Sequence, residues 1–307
     1  MIDILYIAGS GRSGSTLLER MLGQMDGCIS VGELRHLWRR DPALELCGCG
    51  QLVANCPFWL EIRRSAFGSP TLPDFQETYA LQQQVDRIRY LPQILNLYRT
   101  QGYSQNSEAY AGILRRLYGA IGETTTCRAI IDSSKDISTL FLLAKMPEFR
   151  VRVLHLIRDS RAVAFSWMRK KVRSDVKEHV SYMSVYSPYR SAADWNYRNL
   201  LTEMAQKYAY EYLRVHYEDL LANPPVIMKK ISDFMGLRDV DLSFVGQDRV
   251  SFSRDTHTVA GNPMRFQKGS VTLHLDNIWQ GEFKPLHKAI VTTLTWPLLW
   301  HYGYDLG

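Results

Sequence analysis

The stretch Ile4-Leu-Tyr-Ile-Ala-Gly-Ser-Gly-Arg-Ser-Gly-Ser-Thr-Leu-Leu18 constrains this chain more than any other. The apolar run Ile4 to Ala8 stops at Gly9, which is too short for a helix and predicts a buried strand. A turn rich in glycine and serine follows, and Thr16, Leu17, Leu18, Met21 and Leu22 then fall at helical spacing. Strand, small-residue turn and helix together make an anion cradle. Small residues let backbone N–H groups close on a phosphate, and the helix N-terminus adds its dipole.

The glycines match the spacing of a Walker A loop, G-x4-G-K-[ST], from Gly9 through Gly14 to Thr16. One position departs: Ser15 stands where that motif has lysine. A nucleoside triphosphatase sets the lysine against its β- and γ-phosphates, so Ser15 argues against triphosphate chemistry. The loop carries its cation one turn earlier, at Arg12. With no obvious carboxylate partner for a loop-bound magnesium, no metal is expected at this site.

With 307 residues the chain has ample length for a core, as one large α/β domain or two small ones. It shows no internal repeat, low-complexity tract or interdomain linker, so a single domain over 1–307 is expected. A net charge of +6, from 37 basic and 31 acidic residues, suits a polyanionic ligand as well as it suits nucleic acid. No aromatic–basic RNA motif or zinc-finger spacing appears, so no nucleic-acid partner is expected. Asp3 and the early glycine loop leave no room for a signal peptide pattern, and no apolar run is long enough to span a membrane. The run Ile290–Trp300 contains Pro297 and reads as a packed C-terminal helix. The expectation is a cytoplasmic protein without a membrane partner. Oligomeric state leaves no mark in the sequence.

Along the chain, Cys28–Val31 is a short apolar stretch closed by Gly32, and Glu33–Arg40 reads as a short helix. Cys47, Cys49 and Cys56 then offer three thiols. A structural zinc site wants four N/S ligands. Here the fourth would have to be Cys28 or a histidine at no regular spacing, so a turn-rich loop of buried thiols, with one disulfide as an option, is expected. Residues 58–122 carry helical apolar spacing at Ile88, Leu91, Leu95, Leu97 and Tyr98, then at Tyr110, Ile113, Leu114, Leu117 and Tyr118. They read as a helical insertion over one end of the sheet. Further strands are expected at Arg128–Asp132, Val151–Ile157 and Tyr212–His216, with helices at about 137–145, 192–210 and up to Gly236. A basic run at Arg169–Arg173 precedes a polar segment, 174–190, expected to be mobile. Alternating strands and helices imply a parallel sheet whose ligands sit at the strands' carboxyl ends.

Four segments, in order, resemble sulfotransferases that use 3′-phosphoadenosine 5′-phosphosulfate (PAPS). The first is the loop Gly11-Arg12-Ser13-Gly14-Ser15-Thr16, which resembles that family's 5′-phosphosulfate loop. The second is Lys135 after a strand; its counterpart contacts the oxygen between phosphate and sulfate. The third is Arg158 with Ser166, which resemble the pair gripping the 3′-phosphate. The fourth is Val215-His-Tyr217-Glu-Asp-Leu, which resembles the turn that approaches the adenine. A weaker likeness in the tail, through Arg265, Lys268 and Gly269, implies a segment at about 250–280 that closes over the cofactor. The resemblance implies a three-layer P-loop-like α/β fold with a central parallel sheet.

The chain departs from the cytosolic aryl branch, which carries a catalytic histidine two residues after the lysine; here that position is Ile137. Val31-Gly-Glu33-Leu-Arg35 resembles instead the protein-tyrosine and carbohydrate branches, where the glutamate serves as base and the arginine helps form the site. His36, one helical turn on, is the runner-up base, and His155 reads as core. The resemblance therefore implies sulfonate transfer from PAPS to a hydroxyl or amino group of a small-molecule acceptor such as a natural product, with Arg12, Glu33, Arg35 and Lys135 in the chemistry. The alternatives are a small-molecule kinase with a degenerate Walker loop and a non-catalytic nucleotide- or nucleic-acid-binding module.

Overall fold

The opening apolar run forms β1 (Ile2–Ala8), the middle strand of a five-stranded sheet. This is a computed structural model, and it describes residues 1–39, 42–69, 75–97, 101–170, 172–173 and 181–306. Around β1 lie β2 (Cys28–Gly32), β3 (Ala129–Asp132), β4 (Phe149–Ile157) and β5 (Glu211–His216). The order is β2-β3-β1-β4-β5 and every pairing is parallel. The short apolar stretch before Gly32 is thus a strand of its own.

Alternation along β1 divides the core. Ile4, Tyr6 and Ala8 face one way, into a cluster with Ile130, Val151 and Val153. Leu5 and Ile7 face the other way, with Leu154 and Leu156. Both faces are covered, so β1 reads as a continuous apolar run and not as an alternating one. Each fully buried side chain of this size contributes about 1.5–3 kcal/mol.

Helix α1 (Ser15–Leu22) packs Leu18, Met21 and Leu22 on the second face, together with Met228 and Ile231 of the helix Pro224–Phe234. The first face belongs largely to the insertion. Its helices Pro57–Phe67 and Gln101–Thr125 send Trp59, Tyr110, Leu114, Leu117, Tyr118 and Ile121 into the cluster around Ile4 and Tyr6. The insertion expected over one end of the sheet is therefore a layer across a face, because its apolar stripe is wide and long enough to cover strands. Tyr98 and the polar residues 174–180 lie outside the described residues.

Three local expectations change. The helix expected at Glu33–Arg40 is a single 3-10 turn, Leu34–His36, since Gly32 turns at φ +81° and the Glu33 N–H leaves to bond Val259 O at 2.7 Å. The helix expected from about residue 192 starts at Pro188, where the Ser187 hydroxyl accepts the Arg190 N–H, and ends at Met204. The tail, which lacks periodicity, contains an antiparallel hairpin of Arg249–Phe252 with Gly269–Thr272. The C-terminal helix Pro285–His301 packs against Pro188–Met204, burying Val291, Thr295 and Leu299. No helix among the described residues is long and apolar enough to cross a membrane.

Candidate active site

Because the sheet is parallel, all five carboxyl ends point one way, and the turns that leave them surround a cavity of about 530 Å³. Its wall includes Gly11, Arg12, Gly14, Ser15 and Thr16 from the first turn, Glu33 and Arg35 after β2, Lys135 after β3, Arg158 and Ser166 after β4, and Tyr217 after β5. Residues far apart in the chain thus meet in one place.

The first turn is held in a specific shape. Gly14 sits at φ +88°, and a β-carbon there would lie 2.2 Å from the Tyr217 ring, so only glycine allows the loop and the end of β5 to touch. Arg12 and Lys135 are left-handed without being glycine, at φ +67° and +59°. That conformation costs on the order of 1–3 kcal/mol and persists where surrounding structure enforces it, often at functional sites.

The Arg12 guanidinium lies over the Trp167 ring, 4.7 Å from its centroid, and Trp167 stacks on Tyr186 at 4.1 Å and 9°. One Arg12 nitrogen reaches Met183 Sδ at 3.3 Å. Its Nε and Nη2 are buried and have no hydrogen-bond partner among the described residues, and the same holds for Ser13 Oγ, Arg158 Nε and Trp167 Nε1. Burial pushes the Arg12 pKa below its ordinary value, with Glu33 and Tyr186 acting in the opposite direction. Arg158 gives one N–H to the Arg12 carbonyl at 3.1 Å and stacks 4.7 Å over Tyr217, while Trp195 Nε1 donates to the Arg158 carbonyl. Ser166 lies nearly two turns into the helix Ser160–Met168, on the cavity side. A buried cation or hydroxyl left without a partner is costly. Arg12, Arg158 and Trp167 line the cavity, where such donors fit a phosphorylated ligand.

At the opposite wall Lys135 Nζ lies 2.7 Å from Glu33 Oε1 and 2.6 Å from the Ser133 carbonyl. His36 Nε2 lies 3.4 Å from Glu33 Oε2. Behind them the buried Glu19 carboxyl accepts from Ser30 and Ser133 hydroxyls, and burial raises its pKa. Arg35 lines the cavity, yet its guanidinium turns into a buried acidic group. It sits 3.3 Å from both Asp86 and Asp136 and donates to Thr139 Oγ1 at 3.0 Å. Burial alone would lower its pKa, but Asp86 and Asp136 outweigh burial and hold it above the usual range. The guanidinium expected to help form the site is therefore already committed to Asp86 and Asp136.

The tail contributes otherwise than expected. Gly261, Asn262 and Met264 line the cavity, and the Asn262 N–H donates to Thr16 Oγ1 at 3.3 Å. Arg265, Lys268 and Gly269 do not. Arg265 is buried and donates to the carbonyls of Thr258, Ala260 and Leu46 at 3.0, 2.5 and 2.7 Å. Lys268 pairs with Asp255 on the surface at 2.5 Å, and Gly269 starts a hairpin strand. His155 is core, as expected: its ring bonds Tyr212 and Asn199, and burial holds it down to about 3.

Sequence reading missed Trp167, Tyr186, Asp194, Arg198 and Asn262 in the wall. Asp194 and Arg198 stand four apart on a helix and bond at 3.0 Å, and Arg198 also donates to the Lys135 carbonyl at 2.8 Å. Their spacing was visible, but it marks any exposed helical ion pair equally well. Trp167, next to Ser166, carried no signal that it faces the loop.

Residues 5–241 match a family model described as Sulfotransferase family. Among solved structures, a sulfotransferase domain from the curacin biosynthetic pathway aligns over 100% of this chain and 99% of its own, with TM-score 0.57 and 18% identity. At that identity the likeness is one of fold. Sulfotransferase STF1 of Mycobacterium tuberculosis H37Rv aligns over 79% of this chain and 70% of its own, with TM-score 0.42 and 16% identity. STF9 of Mycobacterium avium aligns over 98% and 77%, with TM-score 0.44 and 12% identity. No curated protein matches the chain.

Proposed function

The chain belongs to the sulfotransferase family, and from that premise we propose that it transfers a sulfonate group from PAPS to a hydroxyl or amino group of a small-molecule acceptor such as a natural product. The observation that carries this reading is the pair of cavity-lining arginines, Arg12 and Arg158, whose buried nitrogens include ones with no partner among the described residues. They fit a ligand with two separate anionic ends: Arg12, Ser13 and the backbone from Gly14 to Thr16 for the 5′ end, Arg158 and Ser166 for the 3′-phosphate. Tyr217 flanks the space between Gly14 and Arg158 and offers a ring to the adenine. PAPS, when bound, supplies an activated sulfonate whose departure leaves negative charge on a phosphate.

The chain's own residues then divide the work. Lys135 and Arg12 place positive charge where negative charge grows, in a site partly closed to water, so no metal is needed for that purpose. Glu33 accepts the proton of the attacking hydroxyl or amine. A carboxylate clamped to a lysine is a weak base, so Lys135 must turn its ammonium toward the donor before Glu33 acts. Arg35 with Asp86 and Asp136 keeps the turn after β2 rigid, which holds Glu33 at the wall. His36 backs the far carboxylate oxygen.

A thermal-shift series tests the reading. A ligand bound only by the folded state raises apparent stability. Adenosine 3′,5′-bisphosphate is expected to raise Tm well above AMP at equal concentration, and Arg158→Ala is expected to erase that difference. Equal shifts from the two nucleotides would remove the case for a 3′-phosphate site.

A further inference from the structure

Away from the cavity, a second cluster has the composition and spacing of a metal site. Cys47, Cys49, Cys56 and His257 bring their donor atoms together within 4.8 Å of one another. Cys49 Sγ lies 3.7 Å from Cys56 Sγ, and His257 Nδ1 lies 3.3 Å from Cys56 Sγ and 3.8 Å from Cys47 Sγ. Tetrahedral zinc with Zn–S of about 2.3 Å and Zn–N of about 2.0–2.1 Å puts its ligands about 3.8 Å apart for two sulfurs and about 3.5 Å for sulfur and nitrogen. The one sulfur pair falls close to its edge, and the two sulfur–nitrogen pairs straddle theirs. All the cysteines are free, so no disulfide competes for the thiols. A two-iron cluster divides its ligands between two metals; one tight group suits one ion.

We infer that Cys47, Cys49, Cys56 and His257 bind one structural zinc ion, which clamps the loop 47–56 to the strand-like segment that borders Glu33. All four positions are protein ligands, so the coordination is closed, as structural zinc requires, with no place for a reacting water. None of the four lines the active-site cavity.

The surroundings are built for it. Cys56 caps the helix Pro57–Phe67, whose N-terminal dipole favours a thiolate. Phe58 stacks flat on the His257 ring at 4.6 Å and 5°, and Trp59 Nε1 donates to the His257 carbonyl at 3.0 Å, which fixes the imidazole. Buried Arg63 ties the carbonyls of Val53, Ala54 and Trp59, closing the loop beneath the thiols. Between the first two cysteines, Gly48 gives its N–H to Thr258 O at 3.0 Å, and a β-carbon there would lie 2.4 Å from Thr258 Oγ1. The knuckle therefore presses directly on the segment that carries His257. Two residues further on, Val259 N bonds Val31 O and Val259 O accepts from Glu33 N. The ion would thus stiffen the strip that pins Glu33. The ligand pattern escaped sequence reading because the fourth ligand stands 201 positions from Cys56.

This inference concerns a site separate from the donor cavity and stands whether or not PAPS is the donor. Its test is metal analysis of the full chain purified without chelators. Elemental analysis is expected to find about one zinc per chain, and X-ray absorption on the wild-type protein to find three sulfurs near 2.3 Å and one nitrogen near 2.0–2.1 Å. Cys49→Ser and His257→Ala are expected to lose most of the zinc and to lower Tm. Cys28→Ser, a free cysteine outside the cluster, is expected to keep it. Wild-type protein with no stoichiometric metal overturns the inference. So does an intact mass two daltons low from a disulfide among these cysteines, or an absorption spectrum showing only oxygen and nitrogen ligands.

Discussion

The glycine loop and the tail use the same residue types to opposite ends. On the loop side, half-buried Arg12 and buried Arg158 each have nitrogens that meet no partner among the described residues. On the tail side, buried Arg265 spends both terminal nitrogens on three backbone carbonyls, and Lys268 spends its ammonium on Asp255. Burying a charge is costly unless it is paired. The tail's cations answer most of that cost within the fold; the loop's cations leave more of it open, as the proposed phosphorylated ligand would require. Basic residues near a glycine look alike in sequence, and only their accounts of hydrogen bonds tell them apart.

The largest expected effect lies at the wall that both sides share. Glu33→Gln keeps the shape and removes the proton acceptor, so turnover is expected to fall about 10²–10⁴-fold, with adenosine 3′,5′-bisphosphate affinity little changed. His36→Ala is expected to cost far less in the same assay. Near-normal turnover for Glu33→Gln beside a dead His36→Ala would hand the role to the histidine.

Arg265→Met comes next and tests the tail as architecture. It leaves the carbonyls of Leu46, Thr258 and Ala260 without their donor, and a buried unsatisfied group costs about 1–3 kcal/mol. Chemical denaturation is expected to show a loss of at least that order, while the folded fraction keeps its nucleotide affinity. A large fall in affinity at unchanged stability would return Arg265 to the ligand.

The smallest effect belongs to Lys268→Ala. Its partner Asp255 and its own side chain are both more than half exposed, and surface pairs of this kind are worth about 0.2–1 kcal/mol. Titration with adenosine 3′,5′-bisphosphate is expected to give an affinity within about twofold of wild type, in line with that small worth. A tenfold loss would show that the tail closes over the ligand and would break the contrast between the two sides.

The elements nearest the first turn were legible because their signals are local. The run Ile4–Ala8, Gly14 and the helix from Ser15 follow from periodicity and from the small residues a tight turn needs. Lys135, Arg158 and Tyr217 were singled out by the resemblance; each also follows a strand, and parallel strands bring such positions to one end of a sheet. Arg35 was legible as a neighbour of the site but not in its direction, since Asp86, the partner that turns it away, comes from the insertion. The tail defeated periodicity altogether. Its short hairpin strands alternate too briefly to read, and its main contacts run to α1 and β2 through backbone groups that carry no sequence signature. Arg20, for example, reaches the Met264 carbonyl at 2.8 Å.

By itself, then, the sequence determined an α/β chain with a central parallel sheet, an anion-ready turn after its first strand and a row of polar residues at later strand ends. Hydrophobic period and backbone sterics act over a few residues, and those were enough. The tertiary structure decided which arginine nitrogens lack a partner among the described residues, which way Arg35 points, that the insertion covers a face of the sheet, and that His257 completes the group of Cys47, Cys49 and Cys56. Each of these depends on a contact between residues far apart in the chain, where only the packed fold sets distance and burial.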